Sequence, residues 1–314
     1  LNQATGVEVW NVPYSNDRMA FHLSGGVLVT TDAPGYDVVG LNKTNGTVEY
    51  TVAGYTSPTH PVFHDEGAGR LGFAASNGEY VIINSVDGSV VDTYTYSSGA
   101  VYAVADDGTT RYLLTETAVV AQDISSGTTQ WTYTTDVQSS VTGFIGVDSG
   151  QVFFQSGAGL SDTDNANERL RALDAGTGAL EWTAPDATAR SSEGSVVAHP
   201  TVQIGSSHVY TKMDLDDDAN NGVDEWVALD KTSGTLAHTF ANGEIVNFIE
   251  ADDDIVVSSF VTDEVYTVTP GTWAQSNVIA TSDYALVYPG DTGELYMYVA
   301  DGFFGNKDVY KYES

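Results

Sequence analysis

The sequence predicts an all-β fold: one domain, 1–314, built as a seven-bladed β-propeller of four-stranded antiparallel blades. Three observations carry this. A glycine-anchored turn pattern recurs along the chain, the segments between turns alternate apolar and polar residues, and the last unit stops one strand short while an extra strand stands at the N-terminus. No helical periodicity of useful length interrupts them.

Each copy of the pattern runs apolar residue, often Asn or Asp, two or three variable residues, Gly, then an aromatic four places on. The copies are Leu1-Asn2 with Gly6 and Trp10, Leu41-Asn42 with Gly46 and Tyr50, and Ile83-Asn84 with Gly88 and Asp92. They continue as Gln122-Asp123 with Gly127 and Trp131, Leu173-Asp174 with Gly178 and Trp182, and Leu229-Asp230 with Gly234 and His238. A weak seventh runs Tyr266-Thr267 with Gly271 and Gln275. The glycine spacings of 40, 42, 39, 51, 56 and 37 residues suit propeller blades, two of them enlarged by insertions. The polar residue starts a turn, and Gly supplies the positive φ that other residues adopt only under strain. The aromatic falls on the next strand, placed to cover the seam between blades. Tyr50, Asp92, His238 and Gln275 stand where the other copies have Trp, so at these four copies the sequence does not define the covering group.

With strands A to D read from centre to rim, the blades occupy 18–53, 59–96, 100–134, 140–184, 195–241 and 245–279. The last unit has A at 283–290, B at 293–300 and C at 308–313. The strand Val7-Glu8-Val9-Trp10-Asn11-Val12 is expected to pair with it, closing the ring and removing edges that would otherwise pair with other chains. Leu1-Asn2 and Tyr312-Glu313 claim similar repeat positions, so eight blades, one badly degenerate, is the alternative.

The run Ala172-Leu173-Asp174-Ala175-Gly176-Thr177-Gly178-Ala179-Leu180-Glu181-Trp182 closely resembles the repeat of the pyrroloquinoline-quinone (PQQ)-like β-propeller family. The resemblance spans nearly the whole chain in degenerate copies. Catalytic quinoproteins of that family add a Trp floor under the quinone, a calcium beside it, a catalytic Asp and commonly a vicinal disulfide. No Cys is present and no such set maps onto this sequence, so what the resemblance implies is a non-catalytic member without PQQ.

Asp and Glu number 43 against 11 Lys and Arg, a formal net charge of −32. Such a chain repels nucleic acid, which excludes a DNA or RNA partner. Its aromatic and β-branched content separates it from disordered acidic chains. At molar salt the Debye length falls to about 3 Å and the self-repulsion is screened. The Asp-rich, Lys-poor, Cys-free balance resembles that of secreted haloarchaeal proteins, with an acidic mesophilic exoprotein as the alternative. No apolar run is long enough to span a bilayer. The chain begins at Leu1, so a processed product is expected, with any signal peptide or anchor outside it.

The strongest local motif is Asp214-Leu215-Asp216-Asp217-Asp218-Ala219-Asn220-Asn221-Gly222-Val223-Asp224-Glu225. Asp214, Asp216, Asp218 and Glu225 occupy positions 1, 3, 5 and 12 of a calcium loop, and the Asn220 carbonyl joins them. Ala219 replaces the usual Gly, and strands flank the loop in place of helices; an acidic solvated loop is the alternative. Asp162, Asp164 and Glu168 form a second acidic insertion at the equivalent B–C position one blade earlier, a candidate second ion site. Asp106-Asp107-Gly108, Asp148-Ser149-Gly150 and Asp252-Asp253-Asp254 read as A–B hairpin turns. Gly67-Ala68-Gly69-Arg70-Leu71-Gly72 matches the dinucleotide fingerprint in letters only: a strand follows it, so it too reads as a hairpin turn.

His60 and His199, each before Pro, fall at similar inner-strand positions and are candidate binding residues, as are Phe303 and Phe304 in the last B–C connection. Asn42-Lys43-Thr44 and Asn45-Gly46-Thr47 are overlapping glycosylation sequons in one turn, and Asn42 also holds the ordinary repeat position. The function expected is a non-catalytic extracellular binding or scaffold module. It would present its B–C and D–A loop face to a protein or glycan in a cell-surface or virion assembly. The alternative is a quinone-dependent or glycan-active enzyme using the central channel.

Overall fold

The computed structural model describes residues 22–24, 27–31, 37–56, 63–75, 77–135, 144–156, 169–184, 202–213, 225–241, 244–248, 255–259, 262–280, 284–289, 295–300 and 307–312. Among them the chain forms sheets of consecutive antiparallel strands. The first holds β1 (His22–Ser24), β2 (Val27–Thr31), β3 (Asp37–Asn42) and β4 (Val48–Thr56); the second β5 (Phe63–Asp65), β6 (Arg70–Ala74), β7 (Glu79–Asn84) and β8 (Val90–Thr95). The third holds β9 (Val101–Asp106), β10 (Thr110–Thr115), β11 (Ala118–Asp123) and β12 (Thr129–Thr134); the fourth β13 (Phe144–Asp148), β14 (Gln151–Ser156), β15 (Arg169–Asp174) and β16 (Leu180–Thr183). The fifth holds β17 (Val202–Ile204), β18 (His208–Met213), β19 (Glu225–Asp230) and β20 (Leu236–Thr239); the sixth β21 (Glu244–Phe248), β22 (Ile255–Ser259), β23 (Glu264–Thr269) and β24 (Ala274–Ala280). The seventh has β25 (Tyr284–Pro289), β26 (Leu295–Ala300) and β27 (Lys307–Tyr312). These sheets follow the expected blade order, with β4 running on to Thr56. The strand expected at 7–12 lies outside the described residues, and with it ring closure and the choice between seven and eight blades.

The chain divides into two compact units, 1–152 with 175–178 and 153–174 with 179–314. In the first, the middle strands are buried on both faces and sort their side chains by the period of two that a pleated strand imposes. Val81 and Ile83 of β7 pack with Val27, Val29 and Val38, whereas Tyr80 and Ile82 pack with Leu113, Ala118 and Val120. The second sheet is thus sandwiched between the first and third. The outer strand β12 alternates exposed and half-buried residues, as an edge should. In the second unit Tyr210, Trp226 and Ala228 meet Val246, Ile255, Val257 and Tyr266 in the same way.

The repeated turn between third and fourth strands is built twice over from its sequence. Asn42 N–H donates to Thr47 O at 2.8 Å and Gly46 N–H to Asn42 O at 2.8 Å; Asn84 and Gly88, Asp123 and Gly127, and Asp230 and Gly234 repeat both bonds. The Asn or Asp side chain then accepts a backbone N–H two or three residues on, as Asn84 Oδ1 does from Val86 at 2.9 Å. Hydroxyl bonds from Ser125 and Ser233, with these backbone bonds behind them, hold the Asp123 and Asp230 carboxyls below the usual range.

Gly is needed at the turn for space as well as for φ. A Cβ on Gly178 would stand 2.6 Å from Trp131 Cε3, and one on Gly234 2.5 Å from Trp182 Cε3. The indole of one sheet lies on the turn glycine of the next and donates Nε1–H to the carbonyl just past the turn's Asp. Trp131 reaches Ala175 O and Trp182 reaches Lys231 O, both at 2.9 Å. Tyr50 does the same over Gly88, its hydroxyl donating to Ser85 O at 2.8 Å. Burial and the Asp87 charge push that phenol up to about 12. In the second sheet Asp92 does not cover the seam; Tyr94, two residues on along the same face, lies over Gly127. A bulge aims these groups: register slips by one residue directly before Tyr50, Asp92, Trp131, Trp182 and His238.

The seventh copy differs from its reading in the sequence. Trp273 N–H donates to Thr269 O at 2.9 Å, so Thr269 takes the Asn/Asp place and Trp273, with φ 56°, the glycine place. Gly271 lies within the turn but does not anchor it, and the register of β23 on β24 slips only past Gln275, between the Thr267–Ser276 and Val265–Ile279 pairs.

Candidate functional site

The two enlarged connections lie at the same step of their sheets, between second and third strands: 157–168 joins β14 to β15, and 214–224 joins β18 to β19. The corresponding connection in the third sheet is only 116–117. The ladder brings the two ends of 214–224 together, with Met213 opposite Glu225 and Lys212 opposite Trp226. Glu225 is half-buried at the head of β19. Trp226 beside it is buried in the core, and its Nε1 finds no acceptor among the described residues. Asp214, Asp216, Asp218 and Asn220 lie outside the described residues, as do Asp162, Asp164 and Glu168. Among the described residues no group of three His, Cys, Asp or Glu side chains is placed to hold a metal ion.

His60, His199, Phe303, Phe304 and the hairpin expected at Asp252-Asp253-Asp254 also lie outside the described residues. The other two acidic hairpins are turns between first and second strands, joining β9 to β10 and β13 to β14. Asp107 there accepts Thr109 and Thr110 N–H at 2.9 and 2.8 Å, a turn-forming role. Gly67 to Gly69 joins β5 to β6 with all three residues at positive φ, so the fingerprint-like string is a hairpin and no phosphate cradle before a helix. Asn42 ends β3, and Asn45 sits in the turn that follows it before β4. A described inner-strand histidine is His64 on β5, whose Nε2 lies 2.7 Å from Asp106 Oδ2 on β9.

Sequence reasoning missed a buried polar network in the first unit. Arg111 on β10 pairs with Glu66, each side chain only 1% exposed. Tyr80 on β7 donates to the other Glu66 oxygen at 2.7 Å, and Arg111 Nη1 donates to Gln122 Oε1 at 2.8 Å. Tyr96 donates to the same Gln122 oxygen at 2.9 Å, and Gln122 Nε2 donates to Gly127 O at 2.8 Å. The guanidinium lies 5.1 Å from the Tyr80 ring centroid. Gly72 makes room, since a Cβ there would stand 1.9 Å from the Tyr80 hydroxyl. Burial, then the Glu66 charge, pushes the Tyr80 phenol well up. Every carboxylate oxygen of Glu66 is committed, so the network ties the second sheet to the third and offers no free acid or base. Its signal was present: Arg111, one of 11 basic residues, stands on a strand whose other residues are Thr, Tyr and Leu.

No family model matches the chain, and no curated protein does. The fold is similar to the crystal structure of BamB from Moraxella catarrhalis, with a TM-score of 0.61 at 14% identity over 98% of this chain and 86% of that one. Sqt1 from Saccharomyces cerevisiae gives 0.59 at 15% identity over 94% and 84%. The computationally designed Ika8 protein gives 0.53 at 10% identity over 98% and 100%. BamB and Sqt1 are β-propeller proteins. The fold is a β-propeller. At these identities the likeness is one of fold alone. Among the described residues no helix is long and apolar enough to cross a membrane.

Proposed function

We propose that this propeller is a non-catalytic extracellular binding or scaffold module of seven blades, closed by 7–12 pairing with 308–313. Its partner is a protein or glycan of a cell-surface or virion assembly in concentrated salt, met by the face bearing the second-to-third-strand connections. The observation that carries the reading is the pair of enlarged acidic connections, 157–168 and 214–224, at the same step of successive sheets, where the third sheet has only 116–117. Loops raised on a rigid scaffold are where such folds bind. The PQQ-like repeat and the −32 charge support a non-catalytic, salt-adapted chain. Within this reading Asp214, Asp216, Asp218, Asn220 and Glu225 hold a calcium-type cation that orders the loop, supported by their spacing and by the Met213–Glu225 rung that gathers the loop's ends.

Replacing 157–168 and 214–224 by two-residue Asn-Gly turns tests the function. The variant is expected to keep its melting temperature within a few degrees while losing binding on a glycan array and to cell-envelope proteins. Retention of all binding would overturn the assignment of the face. Turnover with PQQ or an oligosaccharide by the intact chain would replace the module with an enzyme.

A further inference from the structure

The overlapping sequons share one turn, and the structure separates them. Asn42 is the half-buried last residue of β3. Its Oδ1 accepts Thr44 N–H at 2.8 Å, and its Nδ2 donates to Glu49 Oε1 on β4 at 2.7 Å. The nitrogen that would have to bond a sugar is engaged, and freeing it breaks the bond that ties the turn to the strand. Asn45 is exposed. Its Oδ1 accepts Thr47 N–H at 3.0 Å and Thr47 Oγ1–H at 2.8 Å, while its Nδ2 has no partner among the described residues.

The bond that orients Asn45 belongs to the repeat. Asp87 accepts from Ser89 N–H at 2.9 Å, Ser126 Oγ from Thr128 N–H at 3.3 Å and Ser233 Oγ from Thr235 N–H at 3.4 Å, each across the turn glycine. Of the residues in this place, which also include Thr177, only Asn45 brings an amide nitrogen. The fold therefore holds its oxygen to the sequon hydroxyl and leaves its nitrogen facing water.

We propose that Asn45, and not Asn42, is an attachment site for an N-linked glycan. In the transfer, Asn45 Nδ2 bonds to the anomeric carbon of a polyprenyl-phosphate-linked sugar. The carbon–oxygen bond to phosphate breaks, the phosphate leaves with that electron pair, and the amide proton passes to a base of the transferase. Use of the site in the cell rests on the extracellular reading above; its chemical competence does not.

The folded chain is incubated with a single-subunit oligosaccharyltransferase that accepts Asn-x-Thr and with its lipid-linked sugar. Trypsin cleaves after Lys43, which puts Asn42 on the peptide 19–43 and Asn45 on 44–70, to be weighed by mass spectrometry. Glycan on 44–70 is expected to exceed that on 19–43 by about tenfold, the factor that one competing hydrogen bond makes. Heat-unfolded chain should lose that preference, Thr47→Ala should abolish modification of 44–70, and Glu49→Ala should raise that of 19–43. Equal or greater modification at Asn42 in the folded chain overturns the proposal. So does a folded chain left bare while the unfolded chain is modified. A chain exported to the medium but bare at Asn45, in a host that glycosylates a control protein, overturns the site and leaves the extracellular reading standing.

Discussion

Two seams of the second unit place the large ring on opposite sides. Between the fourth and fifth sheets, Trp182 on β16 lies over Gly234 and donates to Lys231 O. Between the fifth and sixth, His238 holds the place of that Trp, and Trp273 holds the place of the glycine. The two rings stack at 4.4 Å with 6° between planes. Phe240 and His208 meet the Trp273 indole edge-on at 6.1 and 5.1 Å. In each seam one large and one small group fill the space, and a bulge before residue 182 or 238 aims the ring. The second arrangement carries a non-glycine residue at φ 56°, a strain of about 1–2 kcal/mol that the aromatic cluster offsets. Close packing, not residue identity, is what the repeat conserves from seam to seam within this chain.

The comparison breaks most readily on the Trp182 side. Trp182→Ala is expected to cost about 3–5 kcal/mol, removing a buried indole and its hydrogen bond. Gly234→Ala should cost about 1–3 kcal/mol in overpacking, before the added strain of positive φ. Chemical denaturation reads both, and a Gly234→Ala variant as stable as the parent would show that the turn yields where the geometry says it cannot.

A swap sharpens it. His238→Trp alone drives one indole into another and should destabilise by about 1–3 kcal/mol. With Trp273→Gly added, the seam acquires the arrangement of Trp182 and Gly234. The double variant should be more stable than the sum of its singles by at least about 1 kcal/mol. Strict additivity in the cycle would mean that the two positions do not share one space.

The smallest effect is in pH. Desolvation lowers the His238 and His208 imidazoles, against the opposing pull of Glu244 and Asp230 respectively. The folded state therefore binds a proton less readily than the unfolded chain. This contribution is complete above the unfolded value of about 6.5 and is lost as pH falls through the lower folded value. Thermal melts should show a shallower fall as pH drops below about 6.5 in His238→Gln than in the parent. Parallel curves would remove His238 from the pH dependence.

The strand order and the turn positions were legible in the sequence because they rest on local rules: a period of two, an Asn or Asp that caps a turn, a glycine at positive φ. The partners across each seam were not. Asp92 sits at the pattern's aromatic position, yet Tyr94 covers Gly127, because residues two apart share a face and only packing chooses between them. The seventh copy was misaligned by two residues for a related reason: Gly271 matched the letter while Trp273 took the conformation. Of the candidate site, the sequence placed the enlarged connections and their acidic residues. The structure added that Met213 and Glu225 close one of them, and that the two sequons in the β3–β4 turn differ in which amide is engaged.

By itself the sequence determined that this chain is all-β, in repeated four-stranded units with an acidic, cysteine-free surface chemistry, since composition and short-range periodicity need no knowledge of what lies opposite. Only the tertiary structure decided that Arg111 is buried against Glu66 and Tyr80, that Trp182 rests on Gly234, and that His238 stacks on Trp273. Those pairings join residues some 30 to 50 positions apart. Their energy comes from filled volume and satisfied polar atoms, which arise only when two sheets meet.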